Sequence, residues 1–230
     1  MTGNSLWTSF YEALFPKYCL SCKKEGSWLC SDCREKIPYL EEQFCPFCLT
    51  ITRTGRSCSF CQPRHHLTGL LAATHFKPPI SNLIHQLKYK GTKELSQLLA
   101  KITIKNTISR IPKGKKIIIP IPLHPKQERK RGFNQAELLG KELSKRLKAE
   151  YNPRSLKRTK NTKSQTKLNR KERRENLKDA FEIDRRIELK DRIVLLADDV
   201  ATTGTTLDEA AKTLKRAKPK EIWGLVISRR

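Results

Sequence analysis

The chain has 230 residues, carries 48 Lys and Arg against 23 Asp and Glu for a formal charge of +25, and is 37% hydrophobic and 31% charged. That length accommodates one large domain or two modest ones, with a core spread unevenly along the chain. Its uninterrupted apolar runs, such as Ile117–Ile119 and Ile193–Ala197, are far shorter than the roughly 20 residues of a transmembrane span, which excludes membrane insertion.

Residues 1–15 place Leu6, Trp7, Phe10, Tyr11, Leu14 and Phe15 at helical spacing, with no basic leader and no cleavage site. This predicts a short amphipathic helix rather than a signal peptide, and hence a cytoplasmic protein. All eight cysteines follow as four Cys-x-x-Cys pairs: Cys19/Cys22, Cys30/Cys33, Cys45/Cys48 and Cys58/Cys61. A disulfide scaffold rarely repeats one spacing four times, and a reducing compartment disfavours cystines. Two thiolates three positions apart on a tight turn face one ion, and two such turns complete a tetrahedral zinc site. The eight sulfurs therefore predict two closed, structural Zn2+ sites with no position left for water. Sequential pairing, Cys19/Cys22 with Cys30/Cys33 and Cys45/Cys48 with Cys58/Cys61, closes the shorter loops; spacing alone leaves interleaved pairing open. His65 and His66 are read as plain loop residues.

Residues 1–66 hold eight basic and six acidic side chains, so residues 67–230 carry +23 of the charge. The expected division is a zinc-binding N-terminal module over 1–66 and a second domain over 67–230. In the second, 68–76 reads as a strand and Pro78-Pro79 opens a helical stretch to about residue 100. Residues 115–123 (KKIIIPIPL) read as a strand, followed by a basic turn and a helix over about 134–150. Residues 191–200 form a second strong strand, with a Gly-containing turn and a helix over about 206–217, and 220–228 close as a strand. Strands alternating with helices imply an α/β fold with a parallel sheet and helices on both faces. Ligands in such sheets sit at the carboxyl ends of the strands.

Two loops have that position. In the first, Asp198 and Asp199 end a buried strand, and Thr202, Thr203, Gly204, Thr205 and Thr206 lead into a helix. Hydroxyls and helix-start amides around one permissive glycine make a donor-rich cradle for a phosphate monoester, while adjacent carboxylates suit neighbouring sugar hydroxyls or a divalent cation. A solvated strand end with a Thr cap would not require this crowding. No Lys follows the glycine, so this is not a Walker loop. The second loop carries Lys126, Arg129, Lys130 and Arg131 before Gly132 and the helix at Asn134. Cations ahead of a helix N-terminus suit a pyrophosphate. Between the two, residues 152–178 hold eleven Lys and Arg against two acids, including Lys163, Lys167, Arg170 and Lys171. A polar stretch of that length is disordered or a functional lid. A field of this strength favours polyanions, whether phosphates of a small ligand or a nucleic-acid backbone.

ADDVATTGTT resembles the phosphoribosyl pyrophosphate (PRPP) signature of type I phosphoribosyltransferases. The resemblance implies that Asp198 and Asp199 meet the ribose hydroxyls, that Thr202 to Thr206 hold the 5′-phosphate, and that Mg2+ accompanies PRPP. With the cysteine module, RGFNQAELLG and the Lys157-Arg158 to Phe181 pattern, the whole chain from about residue 15 resembles the ComF competence-protein family. That resemblance implies a phosphoribosyltransferase-like domain preceded by a double zinc ribbon, with a role in natural transformation, single-stranded DNA as a partner and a helicase-like protein beside it. A second reading is an active phosphoribosyltransferase that displaces pyrophosphate from PRPP with a nitrogenous base. No residue set in the sequence specifies that base, and no catalytic residue is assigned.

Overall fold

A computed structural model describes residues 16–160, 175, 177–184 and 186–230; the expected N-terminal helix and the lid residues Lys163, Lys167, Arg170 and Lys171 lie outside them. Strands β1 (Gly69–His75), β2 (Lys116–Pro120), β3 (Glu150–Tyr151), β6 (Ile193–Ala201) and β7 (Glu221–Arg229) form one sheet in the order β1-β7-β6-β2-β3, parallel throughout. Strands β4 (Leu156–Arg158) and β5 (Phe181–Ile183) pair antiparallel as a separate hairpin. The central strands read as near-continuous apolar runs because both of their faces are buried.

The period of two divides these runs between two cores. Leu71, Ile118, Leu195, Leu225 and Ile227 face helices α2 (Ile80–Lys90), α3 (Lys93–Thr107) and α5 (Gln135–Leu147) through Leu83, Leu87, Leu99 and Leu139. Leu70, Ile117, Ile119, Val194, Leu196 and Val226 face α6 (Thr205–Leu214) and the hairpin through Leu207, Leu214, Leu156 and Phe181. The cysteine module joins both cores. Cys19, Cys30 and Cys33, the last on the short helix α1 (Ser31–Glu35), enter the first, and Cys45 and Cys61 the second. Its segments thus straddle the sheet at β1.

This placement also closes the sheet edge, which would otherwise expose a row of unpaired backbone groups. Leu40 N donates to Ala73 O at 3.0 Å, His75 N to Pro38 O at 2.8 Å, and Leu70 N to Gly55 O at 2.9 Å. At Ala72 a side chain substitutes for a strand: Gln43 Nε2 donates to Ala72 O and Gln43 Oε1 accepts from Ala72 N, both at 3.0 Å. Gln43 is 2% exposed, so water cannot replace it. Gln43→Ala is expected to cost about 2–4 kcal/mol, because two buried backbone groups lose their partners at once. A shift of the urea midpoint with an unchanged slope would measure it.

Two local readings are revised. The basic stretch after β2 is a helix, α4 (Pro125–Arg131), not a turn. His124 Nδ1 caps it by accepting from Lys126 N, Pro125 sits at its start, and Gly132 (φ +83°) ends it. The polar stretch from residue 152 is also ordered at its base, where Leu156 and Arg158 are buried in β4.

Candidate functional site

The carboxyl end of β6 carries Asp198 and Asp199, and Asp198 lines one small hollow of about 40 Å³ with Thr202, Thr203, Gly204, Thr205 and Thr206, while Asp199 points to the opposite face of the strand, toward Lys88. Gly204 makes the turn possible. Its φ of +71° suits a residue without a Cβ, and it opens α6 as its N-cap. Thr203 and Thr205 share a hydroxyl–hydroxyl hydrogen bond of 2.7 Å across it. Asp199 N donates to Asp198 Oδ1 at 2.8 Å and Val200 N to Asp199 Oδ1 at 2.9 Å, so each carboxylate is held by the backbone that follows it.

Burial and the neighbouring charge of Asp199 raise the Asp198 carboxyl from its ordinary value near 3.8 to about 8. Asp199, 4% exposed, is ion-paired to Lys88 Nζ at 2.8 Å. On the other side, buried Arg158 from β4 lies within electrostatic reach of Asp198, whose charge partly offsets the desolvation of the guanidinium. Neither Lys88 nor Arg158 was singled out as a site residue from sequence. Both are far from the acidic pair along the chain, and only the basic tripeptide Lys88-Tyr89-Lys90 and the family pattern around Arg158 hint at them.

The adjoining loop after β2 is tied to this strand end by Ile121 N donating to Ala197 O at 2.9 Å. Buried Asn134 fixes its far end: Oδ1 accepts from Ala136 N as the cap of α5, and Nδ2 donates to Ile121 O at 3.1 Å. Lys126 and Arg129 are exposed on α4, whereas the Arg131 guanidinium donates to Gln135 Oε1. A cavity of about 510 Å³ opens between this loop and the β4–β5 hairpin, bordered by His124, Glu128, Glu137, Arg158 and Asp184. Within it, burial and then the charge of Glu128 raise the Glu137 carboxyl above its ordinary value.

The cysteines form two clusters, Cys19/Cys22/Cys30/Cys33 and Cys45/Cys48/Cys58/Cys61, with the sulfurs of each within 4.8 Å of one another. Sequential pairing is therefore the arrangement found. Four thiolates about 2.3 Å from one tetrahedral Zn2+ lie about 3.8 Å apart, and the Cys22–Cys30 and Cys48–Cys58 sulfur pairs are at 3.6 and 3.5 Å. The donor sets fit structural zinc.

The second cluster abuts the phosphate-type loop. A Cβ built on Gly204 would lie 3.4 Å from Pro46 O and 3.7 Å from the Phe47 ring. Buried Arg229, at the end of β7, donates to Pro46 O at 2.9 Å and to Cys45 O at 3.4 Å. Asp208, in the first turn of α6, accepts from His66 N at 2.6 Å, Leu67 N at 3.0 Å and His65 Nδ1 at 2.7 Å. His65 in turn stacks on Phe47 at a centroid distance of 3.5 Å. These contacts anchor the start of α6 to the ribbon, and they give His65 a structural role in that anchor.

Residues 134–228 match the phosphoribosyl transferase domain family, and residues 10–62 match the double zinc ribbon domain family. The chain is 32% identical over 222 residues to DNA utilization protein YhgH of Escherichia coli O157:H7, covering 91% of this chain and 96% of that protein. It is likewise 32% identical over 225 residues to competence protein F of Haemophilus influenzae, covering 90% and 95%. Competence protein ComFC of Bacillus subtilis is 27% identical over 200 residues, covering 83% and 79%. No described helix is long and apolar enough to cross a membrane.

Proposed function

The chain belongs to the family of competence protein F and the DNA utilization proteins, a phosphoribosyltransferase domain joined to a double zinc ribbon, and from that premise we propose that it binds PRPP with Mg2+ and handles single-stranded DNA during DNA uptake, in the cytoplasm, beside a helicase-like partner. The observation that carries the ligand reading is the hollow at the end of β6, where the Asp198 carboxylate and four threonines meet around Gly204, with Asp199 next to it on the same strand end. Asp198 and Asp199 accept from the ribose hydroxyls, and Thr202 to Thr206 take the 5′-phosphate at the start of α6. Lys126, Arg129 and Arg131, carried by the helix after the neighbouring strand β2, face the pyrophosphate. The hard oxygen donors suit a Mg2+-loaded ligand, and the ion would offset the charge of the pyrophosphate.

Asp199→Asn removes a charge-assisted hydrogen bond worth roughly 1.5–3 kcal/mol, so a ten- to hundredfold loss of PRPP affinity is expected in calorimetry with Mg2+. Unchanged affinity would remove Asp199 from the ligand site.

For the strand, the support is the +23 of residues 67–230. Binding should be independent of sequence and fall steeply with salt, each phosphate contact adding about −0.7 to the slope of log K against log salt. Neutralising Lys163, Lys167, Arg170 and Lys171 together should flatten that slope by roughly 3 if all four touch phosphates. An unmoved slope in anisotropy titrations would place the strand elsewhere.

Turnover of PRPP with a nitrogenous base is the second reading, favoured by the cavity of about 510 Å³ whose lining includes Arg158, a residue within electrostatic reach of Asp198. That volume suits a small ligand. Pyrophosphate release from PRPP that depends on one member of a panel of bases would establish it.

A further inference from the structure

The turn between α2 and α3 presents a surface that the PRPP reading leaves unused. Tyr89 is 70% exposed and stands between Lys88 and exposed Lys90, with exposed His85 one helical turn earlier. The Tyr89 and His85 rings meet at 4.6 Å and an interplanar angle of 49°, which leaves the tyrosine open to solvent. Gly91, at φ +59°, ends α2 and brings this turn against the Phe133 ring, which a Cβ at Gly91 would approach to 2.6 Å. The turn therefore adjoins the cationic segment Arg129–Arg131. Lys88 points the other way, to Asp199 at 2.8 Å. An open aromatic face flanked in sequence by Lys88 and Lys90 thus stands on the helix whose Lys88 reaches the acidic pair.

Accepting the strand-handling reading above, on which this rests, we propose that Tyr89 is a stacking platform for one base of a single-stranded nucleic acid, with adjoining phosphates met by Lys90 and Lys88. An aromatic face accepts every base, and flexible ammonium groups follow the backbone whatever its sequence. The Lys88–Asp199 ion pair makes the platform ligand-dependent. In the ligand-free protein Asp199 neutralises Lys88. Ribose hydroxyls bound at Asp199 release the ammonium toward a strand phosphate. Because such coupling is reciprocal, the strand raises PRPP affinity by the same factor.

The test is anisotropy of a labelled oligothymidylate and of an abasic strand of equal length, each with and without PRPP and Mg2+. Tyr89→Ala should weaken the oligothymidylate about five- to hundredfold, the range expected for loss of one stacked base. It should leave the abasic strand, zinc content and PRPP affinity unchanged, and Tyr89→Phe should retain binding. PRPP with Mg2+ should tighten the wild-type complex about fivefold or more, and Lys88→Gln should abolish that response. Equal effects of Tyr89→Ala on both strands, or none on either, would overturn the platform. Thymidine monophosphate competing as well as the oligomer would replace it with a mononucleotide site. Wild-type protein that binds no oligomer at any salt concentration would overturn the strand-handling reading itself, and the platform with it.

Discussion

Cys48→Ser should lose one of two zinc equivalents and, with it, most PRPP binding, whereas Cys22→Ser should lose the other equivalent and keep the ligand. The two residues are matched, because each is the exposed member of its four-cysteine cluster. What differs is the neighbourhood. The first cluster packs on the face of the sheet that meets α2, α3 and α5. The second packs on the face that carries α6, with Pro46 and Phe47 against Gly204 and with Arg229 bonded to the carbonyls of Cys45 and Pro46. Structural zinc in small modules contributes about 10–16 kcal/mol of folding free energy, comparable to the whole stability of a domain at about 5–15 kcal/mol. Both variants should therefore melt at lower temperature, since both clusters contribute to a domain core and to cover of the β1 edge. Below the melting transition the second should lose more than tenfold in PRPP affinity, because the wall behind the phosphate loop is gone. Zinc analysis, thermal melting and calorimetry on the same preparations decide it. An equal loss of PRPP binding in both variants would mean that the ribbons support only the fold.

PRPP affinity in Mg2+ should rise about tenfold or more between pH 6 and pH 8. Asp198 has its carboxyl raised to about 8, first by burial and then by Asp199. A ribose hydroxyl donating to Asp198 needs the ionised form, which is scarce at pH 6 for a carboxyl raised this far and grows as the pH climbs toward 8. The sign for stability runs the opposite way in the ligand-free protein. A folded pKa above the unfolded value of 3.8 means that Asp198 contributes stability at low pH, and this is lost as the pH climbs from about 4 through about 8. PRPP should therefore raise the melting temperature more at pH 8 than at pH 6, with protons released on binding. Asp198→Asn should remove most of the pH dependence along with most of the affinity. A flat profile in the wild type would show that Asp198 is not a ligand contact.

The parts of this protein that are legible in sequence are those whose chemistry is contiguous. Each pair of zinc ligands lies three residues apart on one turn, and the acidic pair and its threonines occupy a single strand–loop–helix segment, so spacing alone reports them. The parallel sheet was legible for a similar reason: apolar runs such as Ile193–Ala197 are buried on both faces and separated by helical patterns. Helix α4 was hidden although its signals were present, with Pro125 at its start and Gly132 at its end, because its charge resembled a solvated turn. The tertiary structure alone decided the rest. Lys88 meets Asp199, Arg229 meets Cys45 and Pro46, and Gln43 completes the edge of β1 across separations that no local pattern records. The cysteine module runs along the β1 edge and leaves one zinc cluster on each face of the sheet, so only the second stands behind the phosphate loop. Ligand spacing is a property of a few bonded residues, whereas desolvation and ion pairing depend on which distant side chains the sheet brings into the same water-free space.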